Sequence, residues 1–178
     1  MILERLLGFL LDFALIMLPV SILAPKERSL KKAVQELGFK PMPFGKLFKK
    51  SAKLFLLMLA VTIWLSLSMM FFGINDLELV GKAVSEAKAI LPLFFWLVLV
   101  RVVSEEVFFR GFLVKKIGAV ASSAVFALFH IGYGSVAEVI GAFVLGLVLA
   151  KAFQLNKNLY PNIFAHIAYN AMAMFVFL

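Results

Sequence analysis

The sequence contains no cysteine, only two histidines and few charged residues for its length. The absence of cysteine excludes disulfide bonds, thiolate zinc sites and a cysteine nucleophile. Charged residues make up 16% and hydrophobic residues 63% of the 178 positions, whereas soluble domains have roughly a quarter and a half. One water-soluble core cannot bury that much apolar surface, so we expect lipid to be the solvent for most of the chain.

The apolar residues occur in runs long enough for a helix to cross a bilayer core of about 30 Å. Hydropathy therefore predicts an all-α, polytopic membrane helix bundle with about six transmembrane helices in a single membrane domain, residues 1–178. The predicted spans are Leu6–Ala24, Leu54–Phe72, Ala89–Lys116, Ala119–Tyr133, Val136–Phe153 and Leu159–Leu178. Residues 1–88 hold two of these helices and a basic loop, and residues 89–178 hold the other four.

Basic residues outnumber acidic ones, 18 against 10, and half of them lie between the first two predicted helices. The positive-inside tendency makes this loop cytoplasmic. Alternation of the helices then places the amino terminus outside the cell membrane, together with the loop that carries Asp76, Glu78 and Glu86. Because no groove with stacking aromatic residues accompanies the lysines, we expect the lipid bilayer, and not a nucleic acid, as the partner.

Within the basic loop, Leu30, Ala33, Val34 and Leu37 recur at helical spacing, and Gly38 follows them. This pattern predicts an amphipathic helix on the cytoplasmic membrane surface, where the neighbouring lysines meet anionic headgroups.

Polar side chains interrupt three of the predicted helices. An ionisable side chain in mid-bilayer is costly, so it is normally paired, faces a cavity or is functional. The interruptions are Arg101, Glu105, Glu106 and Arg110 in the third helix, His130 in the fourth, and His166 and Asn170 in the sixth. At about 1.5 Å per residue, four of them, Glu105, His130, His166 and Asn170, fall at a similar depth. We predict that these four form one site.

The spacing suggests separate roles for the two acids of the third helix. Glu106 and Arg110 stand four apart in the order that favours an ion pair. Glu105 points about 100° away from Glu106 and is left to address the histidines. An alternative is that Arg101, four residues before Glu105, neutralises it.

The two halves of a hydrolytic site are both present in this layer. His166 and Asn170 share a helix face, and two converging donors can stabilise an oxyanion. Glu105 and His130 can hold and deprotonate a water molecule. We interpret the remaining polar residues of the predicted spans, Asp12, Ser66, Ser68 and Glu138, as structural.

Three ordered motifs, Glu105-Glu106-x-x-x-Arg110, Phe126-x-x-x-His130 and His166-x-x-x-Asn170, resemble those of the CAAX protease and bacteriocin-processing family. This family, also called Abi, consists of intramembrane endopeptidases and includes the type II CAAX prenyl endopeptidase. The resemblance runs from about Leu91 to the carboxyl terminus and implies that residues 89–178 are the catalytic core.

The resemblance also implies a role for each motif residue. Glu105 would activate the attacking water with the help of His130, while His166 and Asn170 would stabilise the oxyanion. Glu106 and Arg110 would support the site, and Phe126 would pack behind His130.

From the residues and the resemblance together we expect an intramembrane endopeptidase. Its substrate would be membrane-associated, a hydrophobic or lipidated carboxyl-terminal peptide, with a prenylated CAAX sequence as one option. Cleavage would occur near the cytoplasmic half of the bilayer, reached from inside or from the lipid. The cofactor is either none, which we favour, or zinc held by Glu105, His130 and His166.

Two other functions are considered. A small proton-coupled transporter would also place Glu and His in the membrane, and a non-catalytic immunity or scaffold protein would keep the motif for structure. The sequence leaves the substrate, the oligomeric state and the role of Arg101 open.

Overall fold

The computed structural model describes residues 2–88, 93 and 95–176. In that part of the chain every regular element is helical. The amino-terminal half contains α1 (Ile2–Glu27), α2 (Leu30–Leu37), α3 (Phe44–Phe71) and α4 (Glu78–Lys88). Four consecutive helical segments follow. They are the π-helical segment π1 (Trp96–Arg101), α5 (Val102–Glu105), a second π-helical segment π2 (Glu106–Leu113) and α6 (Val114–Leu128). A 3₁₀ turn (Ile131–Tyr133), α7 (Val136–Asn156) and α8 (Tyr160–Val176) complete the fold.

Four helices in the described residues are long and apolar enough to cross a membrane. They are Leu6–Glu27, Phe44–Phe71, Trp96–Tyr133 and Val136–Asn156. The predicted all-α membrane architecture is therefore confirmed, while the count of six spans stays a prediction. The predicted starts and ends at Ala89 and Leu178 lie outside the described residues.

The longest of these spans, Trp96–Tyr133, has 38 residues but is not one straight helix. Gly118 has φ 82° and ψ 172°, a non-helical conformation that favours glycine. The span bends at the point where the sequence predicted a break between the third and fourth helices. The helix that follows the bend ends at Leu128 and not at Tyr133 as predicted, because a turn and the 3₁₀ segment replace its last part.

The helix α2 forms where the hydrophobic spacing predicted it. The Ser29 side chain accepts a hydrogen bond from the Lys32 amide, and Gly38 ends the helix in the left-handed conformation with φ 111°. Ala33 and Leu37 are buried and belong to the same core cluster as Phe153 and Leu159. The apolar side of α2 thus packs on the bundle, and its location on the membrane surface stays a prediction.

The end of α2 approaches π2 closely at Gly111. A Cβ atom on Gly111 would lie 2.7 Å from the Leu37 carbonyl oxygen. The residue after α2 also fixes the start of α8, because the Leu159 amide donates to the Gly38 carbonyl at 2.9 Å. Through these contacts, the end of α2 holds both π2 and the start of α8 in place. These two elements carry most of the polar motif residues.

Asp76, in the loop that follows α3, caps the first turn of α7. Its carboxylate accepts hydrogen bonds from the Ser135 hydroxyl at 2.8 Å and from the amides of Val136 and Ala137 at 2.6 and 3.1 Å. The Ser135 bond first, and then the two amides, hold the pKa of the Asp76 carboxyl below its ordinary value although partial burial opposes them. The loop after α3 is therefore tied to the start of α7.

We predict that Gly111→Ala destabilises the protein, because the added methyl group must displace the Leu37 carbonyl. Overpacking of this kind costs about 1–3 kcal/mol. Gly45→Ala is the matched control, since a Cβ atom there meets nothing within 4 Å. Thermal unfolding in detergent measures both variants, and equal midpoints for the two would contradict the close approach.

We predict that the capping by Asp76 makes stability depend on pH. Because the folded-state pKa of Asp76 is lowered, its contribution is complete above the unfolded value of about 3.9 and is lost as the pH falls through the folded value. Asp76→Asn should be less stable than the wild type at neutral pH, and the difference should shrink below about pH 4. Unfolding midpoints from pH 3 to 7 test this, with the exposed Glu78→Gln as control; a difference that does not vary with pH would exclude it.

Candidate active site

The centre of the polar cluster is the carboxylate of Glu106, whose side chain is fully buried. One oxygen lies 2.9 Å from Nδ1 of His166 and 3.2 Å from Nη1 of Arg110. The other oxygen accepts a hydrogen bond from Nδ2 of Asn162 at 3.1 Å. Asn162 also donates to the Leu149 carbonyl at 2.8 Å. Glu106 thus connects π2 to α8, and Asn162 extends the connection to α7.

The predicted pair of Glu106 and Arg110 is present, and Arg110 has a second contact. Its guanidinium carbon lies 4.2 Å from the centre of the Phe126 ring, a cation–π contact. The other neighbour of Phe126 is His130, whose ring centre is 4.6 Å away. Phe126 therefore packs behind His130, as the family resemblance implied, and separates the two polar groups.

His166 contacts both glutamates of the motif, one with each ring nitrogen. Its Nε2 lies 3.9 Å from an oxygen of Glu105, while Nδ1 is bonded to Glu106. The sequence prediction that Glu106 only pairs with Arg110 is therefore corrected. Adjacent helical residues point about 100° apart, and the His166 ring of α8 lies between the two carboxylates, so it contacts both acids.

The hydrogen bonds of the two histidines assign their protons. The Phe126 carbonyl can only accept, and it lies 2.9 Å from Nδ1 of His130. Nδ1 therefore carries the proton, and Nε2 has a free lone pair in the neutral ring. The same argument makes Nδ1 of His166 the donor to Glu106. His130 reaches this position from the turn after α6, and not from within a helix as predicted.

All four residues of the predicted layer line one cavity of about 440 Å³: Glu105, His130, His166 and Asn170. This volume lies within the usual range for sites that bind small molecules, about 300–1,000 Å³. Most of the remaining wall is apolar and comes from α3, α4, α7 and α8, for example Met58, Leu65, Met69, Val80, Leu145 and Met172. The structure thus combines a polar end with an apolar chamber.

The cavity extends toward the acidic loop and α4. Its wall reaches Leu77, Val80 and Val84, and no lysine is among the lining residues that the structure describes. With the predicted orientation this is the outer end of the bundle. Access from the lipid remains compatible with this geometry.

Arg101 and Asp12 form a second polar cluster next to the first. Nε of Arg101 lies 3.3 and 3.4 Å from the two carboxylate oxygens of Asp12, which is 1% exposed. Trp96 Nε1 and the Ser104 hydroxyl also donate to this carboxylate, at 2.8 and 3.3 Å. The alternative in which Arg101 neutralises Glu105 is therefore wrong, because Arg101 pairs with α1.

Sequence reasoning did not predict the positions or partners of four polar residues at the site. Asn162 is fully buried beside Glu106, and Glu138 and Arg101 line the cavity. Asp12, taken as an isolated structural residue, is the partner of Arg101. The available signal was the cost of a lone carboxylate in an apolar helix, which requires a cation from another helix.

The donors predicted for zinc do not converge as they stand. In the described ranges no group of three His, Asp or Glu side chains is placed to hold a metal ion. Both histidines use Nδ1 for protein acceptors, which leaves only the two Nε2 atoms and the Glu105 carboxylate. Two imidazole nitrogens and one carboxylate are a donor set that zinc accepts, so the choice between no metal and zinc stays a prediction.

A comparison with family models matches residues 87–172 to the type II CAAX prenyl endopeptidase Rce1-like family. The matched stretch contains all three polar motifs, from Glu105 to Asn170. No curated protein and no solved structure matches the chain. The match agrees with the family predicted from the motifs, and it supports a hydrolase of the CAAX-processing kind in a membrane.

We predict that Glu106→Gln strongly destabilises the bundle, by about 3–5 kcal/mol, because it leaves Arg110 buried without its counter-ion. Adding Arg110→Met to this variant should recover part of the loss. Glu105→Gln, which removes no buried ion pair with a cation, is the control and should unfold close to the wild type. Chemical unfolding of these four proteins and of the single variant Arg110→Met measures the coupling, and additive effects of the two substitutions would exclude it.

Proposed function

Since the chain belongs, through its residues 87–172, to the Rce1-like family of type II CAAX prenyl endopeptidases, we propose that it is an intramembrane endopeptidase in which Glu105 activates the attacking water. The observation that carries this proposal is the position of His166. Its ring lies between the buried Glu106 carboxylate and Glu105 at the wall of the cavity. A carboxylate, an oriented imidazole and space for a peptide therefore stand side by side.

The first step is removal of a proton from water. Glu105 is the general base, since its side chain is 13% exposed and lines the cavity. As the carboxylate takes the proton, the water oxygen attacks the carbonyl carbon of the substrate. Nε2 of His130 has a lone pair that accepts the second hydrogen of this water and fixes its orientation.

The second step is stabilisation of the oxyanion. In the proposed step His166 acts as the imidazolium, which donates its Nδ1 proton to Glu106 and its Nε2 proton to the oxyanion. The amide of Asn170, one helical turn further along, is the second donor. Fixed donors in a site shielded from water favour the charge that develops in the transition state.

In the last step the carbon–nitrogen bond breaks. The proton that Glu105 took from water passes to the leaving amine, and Glu105 returns to the carboxylate form. One water is consumed, and the products are a new carboxylic acid and an amine. In this mechanism Glu106 orients His166 and Arg110 balances the charge of Glu106, and neither contacts the substrate.

The shape of the cavity favours an apolar, membrane-associated substrate. Its walls away from the polar end are mostly aliphatic side chains and methionines, which suit a hydrophobic peptide segment or an attached lipid chain. A prenylated CAAX-type peptide meets both requirements. We place the protein in the cell membrane as a multi-pass protein with its basic loop in the cytoplasm.

We predict that Glu105→Gln abolishes cleavage of a synthetic CAAX peptide with a prenylated cysteine, while the protein remains folded. Asn170→Ala removes one oxyanion donor and should lower kcat by about 10²–10³. His130→Ala should lower it by about 10²–10⁴. The assay uses purified protein in lipid vesicles, with Glu78→Gln as control, because Glu78 is exposed and not among the lining residues of the cavity that the structure describes. Full activity of Glu105→Gln would disprove the proposed mechanism.

A chelator separates the two hydrolytic mechanisms. We expect cleavage to persist after dialysis against a strong chelator, because the proposed base is a carboxylate that acts without a metal. Loss of activity that added zinc restores would instead assign Glu105, His130 and His166 as ligands.

A further inference from the structure

Arg101 is held from one side only. Its Nε lies within hydrogen-bond distance of both oxygens of Asp12, and Asp12 is fixed by two further donors from Trp96 and Ser104. The two terminal nitrogens of the guanidinium donate no hydrogen bond to any residue in the part of the chain that the structure describes. Asp12 therefore binds Nε of Arg101 and leaves the N–H groups of the two terminal nitrogens as further donors.

The same side chain reaches the cavity of the active site. Arg101 is 31% exposed and belongs to the cavity lining, whereas its anchor Asp12 is 2% exposed. Among the described lining residues, Arg101 is the one lysine or arginine. The other charged groups in the lining, Glu105 and Glu138, repel an anion. Apart from His166, which the proposed mechanism uses for the oxyanion, Arg101 is thus the cation that the described lining offers to a negative group.

The chemistry of an arginine in an apolar cavity restricts the group that it binds. A guanidinium presents parallel N–H donors that match a carboxylate. A peptide whose side chains are all apolar still carries one negative group, which is the carboxylate at its carboxyl terminus. We propose that Arg101 binds the carboxyl-terminal carboxylate of the substrate and thereby selects a peptide bond close to the chain end. This inference rests on the proposed function and adds a specificity-determining residue to it.

The position of Arg101 relative to the base sets the length of the fragment. The two residues stand four apart, roughly 6 Å along a helix axis. Extended chain covers at most about 3.3–3.6 Å per residue. If Arg101 holds the carboxylate, the peptide bond that lies beside Glu105 is therefore only a few residues before the carboxyl terminus of the substrate. Asp12 is a positioning residue in this arrangement, because it keeps the guanidinium from turning to Glu105 on the next turn.

The test compares two forms of one prenylated CAAX peptide, with a free carboxylate or with a carboxamide at the end. For the wild type we expect kcat/KM to be about 10- to 100-fold higher for the acid, as for a hydrogen bond to a charged group, mainly through KM. Arg101→Lys should keep part of this preference. The double variant Asp12→Asn with Arg101→Gln, which leaves no unpaired buried charge, should cleave the acid and the amide at equal rates.

A binding measurement keeps the test independent of turnover. In the Glu105→Gln background, the acid should bind more tightly than the amide by a similar factor, and the Arg101 and Asp12 substitutions should remove the difference. A purely structural role of Arg101 would lower activity on both peptides alike and leave their ratio unchanged, which overturns the inference. Equal cleavage of both peptides by the wild type also overturns it while the proposed function stands. Absence of any cleavage by the wild type overturns both.

Discussion

The burial of the Glu106 carboxylate is the constraint on which the rest of the structure depends. A carboxylate removed from water is stable only if its oxygens are hydrogen-bonded and its charge is balanced. Glu106 meets this condition with Arg110 from its own helix and with Asn162 and His166 from α8. Since these partners come from two elements, the requirement fixes how π2 and α8 lie against each other.

This network also prepares the neighbouring Glu105. Glu106 uses Nδ1 of His166 and directs Nε2 toward the cavity, so the imidazole has a defined proton and a defined orientation. Glu105 itself has no cation among the partners above and remains accessible from the cavity. Two adjacent acids thus have different surroundings, and that difference allows one to support the site while the other is proposed to react.

A second ion pair, between the buried Asp12 and the partly exposed Arg101, links α1 to π1, one helical turn before Glu105. It gives α1 a place in the bundle that hydrophobic contact alone does not specify, because lipid and apolar side chains are nearly equivalent surroundings for an apolar helix. The polar pairs therefore determine register in this protein. The π-helical segments lie where these pairs form, in keeping with the frequent location of such segments at functional sites.

The sequence alone determined the membrane class, the helical architecture and the polar residues of the site. Apolar runs of bilayer length and ionisable residues inside them are local properties of the chain, and Glu105, His130, His166 and Asn170 were found because mid-membrane polarity is costly. The cost of a buried charge also requires a partner for Asp12, but the sequence does not identify it, because Arg101 lies 89 positions away.

Only the tertiary structure decided the pairings and the shape of the site. The contact of Glu106 with His166 depends on how π2 and α8 pack against each other, which the spacing along either helix does not predict. The turn that carries His130, the direction of the cavity and the presence of Arg101 in its wall depend on how separate helices pack. These features arise because a buried charge selects its partners by distance in space, and the order of residues along one helix does not contain that distance.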